Sequence, residues 1–269
     1  MLGRRRRIRR AMRNTAAWFG LLLMISSFAW MQWISKPEAA TSAQPARHEP
    51  FTVVVLDPGH GGQDSGAMCG GMLEKDLTLD VAQRVDRLLQ SEGLATVMTR
   101  VGDGYVSLAE RAALTNRVPA CILISIHFNE DNRPVSSGIE TYYAERQVQP
   151  GMPIVSWLPF LQRAAAQAPD PESQSLAGFI QEALVARTQA ANRGTKSRQF
   201  FVIANVRHPA VLVEGGFLTN KEDMAKLGSA DYREQIAAAI SEGVIRYRDL
   251  VKVRQSTLAV SAPKGRGGE

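Results

Sequence analysis

The chain has 269 residues, 45% apolar and 22% charged, enough for one globular domain with a substantial core plus short appendages. Its net charge of +6 is local: seven arginines (Arg4, Arg5, Arg6, Arg7, Arg9, Arg10, Arg13) fall in the first thirteen residues, whereas residues 51–250 carry 19 Lys+Arg against 23 Asp+Glu. The body is slightly acidic, so the charge gives no reason to expect a nucleic-acid partner.

Residues 16–34 (AAWFGLLLMISSFAWMQWI) follow the arginines as an apolar run. Basic then apolar is the order of an export signal, with the basic end held in the cytoplasm. Nineteen residues are long for a cleaved signal and about enough to span a bilayer, although Thr41-Ser42-Ala43 offers small residues for cleavage. The expectation is an exported protein, in the periplasm or on the outer face of the cytoplasmic membrane, anchored by residues 16–34 if that segment is not cleaved. Residues 1–34 form this unit, and the Pro/Ala/Ser/Thr stretch 35–50 reads as a linker.

At Phe51 the texture changes. FTVVVLD is a continuous apolar run ending in Pro-Gly, the pattern of a strand buried on both faces. Helical periodicity covers 75–90, and 94–98 reads as a short strand. Ser107 with Glu110 three residues on forms a capping box before a helix over 108–117. Strands are expected at 121–127 and 138–143. The rhythm breaks over 145–174, a Pro-, Gln- and Ala-rich insertion in which 153–168 reads as one amphipathic helix. A helix over 175–190, a short strand over 200–203, a strand over 210–214 and a closing helix over 232–250 follow, with 251–269 a flexible tail. Strands alternating with helices predict an α/β fold: one domain over 51–250, a mostly parallel sheet with helices on both faces, and function at the carboxyl ends of the strands. Cys69 and Cys121 belong near opposite ends of neighbouring strands, roughly 20 Å apart, so no disulfide is expected between them.

Three strands end in chemistry-bearing residues: VVVLD runs into His60, CILIS into His127 and AVLV into Glu214. A parallel sheet delivers all three to one rim, and Glu74 at the start of the first helix lies there too. Two imidazoles and a carboxylate suit a zinc ion with one position open for water, and a second, unbound carboxylate suits proton transfer. By itself Glu74 also reads as a solvated first-turn carboxylate favoured by the helix dipole. The loop GHGGQDSG is no phosphate cradle, because Ala67 and Met68 stand where Lys and Ser/Thr would be needed. Nor is it a nucleophile elbow.

In order, VVLDPGHGGQDSGA, LEKDLTLDVA, LAERAALTN, ILISIHFN, GIETYY and HPAVLVEGGFLTN resemble the zinc-dependent N-acetylmuramoyl-L-alanine amidases of the amidase-3 type. The resemblance covers about 51–250. It implies one Zn²⁺ per chain held by His60, Glu74 and His127, with Glu214 as the catalytic carboxylate. It implies hydrolysis of the amide between the lactyl group of N-acetylmuramic acid and L-alanine of peptidoglycan stem peptides, in cell-wall remodelling or daughter-cell separation. Asn129 is a candidate for hydrogen bonding to substrate or for bracing its loop; Arg111 and Asn116 match the family pattern with structural roles. Some longer relatives carry, where this chain has 145–174, a helix that covers the site until an activator protein displaces it, so a lid is expected there. Two other readings stay open: another exported zinc peptidase or carboxypeptidase, and a catalytically inactive wall-binding regulator.

Overall fold

The computed structural model describes residues 51–148 and 167–261. Six strands form the main sheet: β1 (Val53–Pro58), β4 (Ala95–Met98), β5 (Cys121–Asn129), β6 (Ile139–Tyr143), β9 (Asn192–Ser197) and β10 (Ala210–Phe217), in the order β4-β1-β5-β10-β6-β9. The first four in that order are mutually parallel. β6 runs antiparallel to β10, and β9 runs parallel to β6, so the last two strands are reversed. Two small antiparallel ribbons complete the strands: β2 (Met68–Cys69) with β3 (Met72–Leu73), and β7 (Arg146–Val148) with β8 (Gln167–Pro169).

Side-chain alternation gives the sheet two apolar faces. On one, Val54, Leu56, Ile122, Ile124, Val211 and Val213 pack under α1 (Glu74–Ser91), α3 (Pro171–Thr188) and α6 (Ala230–Ser261). On the other, Val55, Cys121, Leu123, Ala210 and Leu212 meet the thinner layer of α2 (Leu108–Arg117) and α4 (Phe201–Ala204). Helix α1 shows why packing decides. It buries Leu77, Val81, Val85 and Leu89, each contributing about 1.5–3 kcal/mol. That outweighs the loss of up to about 0.7 kcal/mol in helix propensity at its valines. At α2, Ser107 and Glu110 make the reciprocal cap that their spacing predicts.

Three stretches differ from expectation. Residues 200–203 read as a strand, but Phe201–Ala204 is one helical turn, closed by the Ala204 and Asn205 N–H groups donating to the Phe200 and Phe201 carbonyls. A short apolar run fits either geometry; here burial of Val202 and Ile203 under the sheet chooses the helix. β9 (NRGTKS) was not expected at all, because as an edge strand it needs no apolar face. Helix α6 continues through the expected tail to Ser261, with Val251 buried.

Much of the 145–174 insertion, including most of the expected lid helix, lies outside the described residues, as do 1–50. Its described ends pair as β7 and β8, so 167 and 168 belong to a strand. Tyr143, just before β7, pairs with Val211 near the start of β10, whereas Glu140 pairs with Glu214 near its end. The insertion therefore leaves the sheet at the rim opposite Glu214. Both cysteines are free. No helix among the described residues is long and apolar enough to cross a membrane.

Candidate functional site

Strands β1, β5 and β10 end on one rim and bring His60, His127 and Glu214 there, with Glu74 at the first position of α1. His60 Nε2 and His127 Nδ1 each lie 3.0 Å from the same oxygen, Glu74 Oε1. The imidazoles meet edge to face, centroids 4.9 Å apart. Glu74 is no solvated first-turn carboxylate. It is buried; its Oε1 also accepts from the Phe128 N–H and its Oε2 from the Ala67 N–H. Burial would raise its pKa, but the imidazoles of His127 and His60 outweigh that and hold it well below the carboxylate range.

The backbone around His60 is forced into place. His60 has φ +61°, a conformation disfavoured for a non-glycine residue that persists only when surroundings dictate it. Two buried arginines supply the force. Arg100 donates to the carbonyls of Pro58 and Gly59, and Arg111 to those of Pro58 and His60. Arg111 is itself held by buried Asp57 at 2.7 Å, and Asp57 also accepts from Thr99 and Ser125. Gly59 allows the close approach: a Cβ there would sit 2.2 Å from His127 Cε1. Arg111 thus has the structural role expected of it, and so has Asn116, which accepts from the Arg207 N–H and donates to the Asn205 carbonyl.

Asp64 is a site residue that motif reading passed over. Its Oδ2 lies 2.9 Å from His60 Nδ1. The contact is electrostatic rather than a well-aligned hydrogen bond, since Nδ1 has no partner at bonding angles. Burial would lower the pKa of His60; Glu74 first and Asp64 second outweigh it and raise it. A carboxylate behind an imidazole orients the ring and raises its basicity towards a metal. Asp64→Asn should therefore weaken zinc affinity roughly 10- to 100-fold, with unchanged circular dichroism; a zinc titration against a competing chelator measures it.

Glu214 stands in register with His127 on one side and Glu140 on the other, all on the same sheet face. Its Oε2 is buried with no hydrogen-bond partner. Burial first, then the charges of Glu74 and Glu140, push its pKa well above the usual value. Glu140 is the opposite case. It accepts from Asn129 Nδ2, the Tyr142 hydroxyl, Arg193 Nε and Lys196 Nζ. Burial would raise its pKa, but Lys196, Tyr142 and Arg193 hold it below the usual value. Asn129 thus gives one of its two amide N–H donors to Glu140. The sequence signal for Glu140 was a lone carboxylate inside the apolar strand GIETYY.

One ligand atom from each of His60, Glu74 and His127 lies within 4.8 Å of the others. Tetrahedral donors about 2.0–2.2 Å from a zinc ion sit roughly 3.3–3.6 Å apart, so the 3.0 Å contacts here need open by only a few tenths of an ångström to admit one. Donor set, spacing and the unpartnered acid beside them all fit a hydrolytic zinc. A cleft of about 80 Å³ opens against the two imidazoles, walled by Tyr105 and Leu108.

A mostly parallel α/β domain with such donors on its carboxyl rim defines the class as a hydrolase with a ready ion site. Comparison with known proteins makes that specific. Residues 54–246 match the family model described as N-acetylmuramoyl-L-alanine amidase, of the amidase-3 type, and the chain belongs to that family of peptidoglycan hydrolases. It is 37% identical to the N-acetylmuramoyl-L-alanine amidase LytC of Bacillus subtilis, over 72% of this chain and 35% of that protein. It is 32% identical to AmiA of Escherichia coli, over 79% of this chain and 80% of that one. Among solved structures, the amidase AmiC2 of Nostoc punctiforme superposes with a TM-score of 0.62 at 34% identity, over 75% of this chain and 98% of that one. The CwlD amidase of Clostridioides difficile, solved with the GerS lipoprotein, gives 0.63 at 26%, over 74% and 99%.

Proposed function

We propose that the protein is a zinc-dependent amidase cleaving the bond between the lactyl carbonyl of N-acetylmuramic acid and the L-alanine nitrogen of the stem peptide. The observation that carries this reading is the convergence of both imidazoles on Glu74 Oε1, with the partnerless Glu214 Oε2 buried nearby. His60 and His127 would hold the ion through Nε2 and Nδ1, and Glu74 through its carboxylate. When bound, zinc supplies Lewis acidity that makes a water available as hydroxide near neutral pH and polarises a carbonyl.

The remaining work falls to the chain. Glu214 takes the proton of the attacking water at its carboxylate and returns it to the leaving alanine nitrogen. A carboxyl moved from the ordinary carboxylate range towards the working pH suits both halves of that transfer, because it can take the proton from water and give it up to the amine. Asn129, tied to Glu140 through one N–H, keeps its second N–H and its carbonyl oxygen for hydrogen bonding to substrate. Arg111 and Arg100 keep the His60 loop from relaxing, so its imidazole stays aimed.

Residues 1–50 are assigned as export signal or anchor plus linker, placing the enzyme outside the cytoplasmic membrane with peptidoglycan as its partner. The 145–174 insertion is assigned as the surface for any activating protein. Chelation should abolish release of stem peptides from purified peptidoglycan, and about one equivalent of zinc should restore it. The released peptides should carry N-terminal L-alanine. Trimming at the far end of the stem would indicate a carboxypeptidase instead, and a zinc-loaded protein releasing nothing would indicate a wall-binding regulator.

A further inference from the structure

The reversed edge of the sheet carries more positive charge than its structural task requires. β9 places Arg193 and Lys196 on the site face, and both converge on the single oxygen Glu140 Oε2, with Arg193 Nε at 2.8 Å. One cation would neutralise that carboxylate. Glu140 also accepts from Asn129 and Tyr142, so it is fully bonded. Arg193 and Lys196 stay 31% and 37% exposed. The Arg193 guanidinium lies over the Phe217 ring at 4.8 Å, which fixes its plane, and its two Nη groups have no partner among the described residues. A guanidinium held by Nε and stacked on a ring presents its Nη edge for a bidentate contact with a planar anion.

We propose that Arg193 and Lys196 form a ledge that binds a free carboxylate on the peptide arm of the substrate. The inference rests on the amidase reading and adds a specificity determinant to it. The register sets the reach. Glu214 faces Glu140 across one strand interval, and β9 lies one interval further. Two intervals of about 4.8 Å come to roughly 10 Å. An extended peptide advances about 3.3–3.6 Å per residue, so the ledge meets the second or third residue beyond the scissile amide. A carboxylate there would otherwise approach Glu214, Glu140 and Glu74, and the ledge offsets that repulsion.

The test uses the intact protein with zinc and two soluble muramoyl-tripeptides. One carries free carboxylates on its second and third residues; the other carries carboxamides there. The free acid should be hydrolysed with kcat/KM roughly 10- to 100-fold higher, mostly through KM, and the gap should shrink as salt is added. In the double variant Arg193→Gln, Lys196→Gln the preference should fall towards unity, whereas Lys196→Arg should retain it. Equal treatment of both substrates by the native protein overturns the ledge and leaves the amidase reading intact. A preference that survives the double variant also overturns it. Cleavage of neither substrate overturns both. If the double variant fails to fold, the single variant Lys196→Gln, which leaves Arg193 paired with Glu140, should show a partial fall in the preference, and an unchanged preference there overturns the ledge.

Discussion

Glu214→Gln should lower the rate of stem-peptide release by about 10²- to 10⁴-fold, the range for losing a positioned general acid–base, and at the same time stabilise the metal-free fold near neutral pH. The two effects share one origin. Glu214 Oε2 is buried without a partner, and burial with two neighbouring carboxylates raises its pKa well above the usual value. Between the ordinary pKa of 4.5 and the raised one, the native state holds a proton that the unfolded chain has released. Linkage then makes stability fall as pH rises through that window, by about 1.4 kcal/mol for each unit of displacement. Glutamine cannot ionise, and its amide N–H groups suit a site flanked by Glu74 and Glu140. Melting of the chelated protein at pH 5 and pH 8 measures this. The variant should melt above the parent at pH 8 and show a smaller gain at pH 5. Equal gains at both would mean that the carboxyl is not a strained acid.

Gly59→Ala should cost at least about 100-fold in activity, because misplacing one ion-binding ring is a misplacement of order 1 Å. A methyl group at that position would lie 2.2, 2.5 and 2.6 Å from three atoms of the His127 ring. The ring must swing away from Glu74 Oε1, or the end of β1 must shift against the arginine clamp. Overpacking of this kind typically costs about 1–3 kcal/mol. Zinc content after dialysis and thermal stability report the two outcomes, and a variant that binds zinc as tightly as the parent would refute the packing argument. Gly66→Ala serves as a second probe, since its Cβ would lie 2.5 Å from Glu74 Oε2 and 2.6 Å from the His60 ring, at φ +63°.

Strand ends were legible because burial on both faces writes continuous apolar runs, so VVVLD, CILIS and AVLV placed His60, His127 and Glu214 on one rim. Glu74 was harder. Its local sequence is that of any acidic first turn, and only the family resemblance marked it; its burial depends on Ala67 and Phe128, which no local pattern connects to it. Arg100 and Asp64 escaped because their partners are backbone carbonyls and a ring nitrogen, which leave no trace in residue type. The edge strand β9 escaped because Arg193, Gly194 and Lys196 carry neither alternation nor β-propensity. The charge that hid the strand is what gives that edge its chemistry.

The reversal of β6 and β9 also divides the loops between two duties. Because β6 begins beside Glu214 and ends at the opposite rim, the connections that reach the ion donors from this edge are 130–138 and 189–191, both short. The long 145–174 excursion departs from the other rim, where it can lengthen, shorten or change composition while the donors keep their spacing. The loops 130–138 and 189–191 therefore border the donors directly, whereas the described ends of the excursion, β7 and β8, attach at the far ends of the strands.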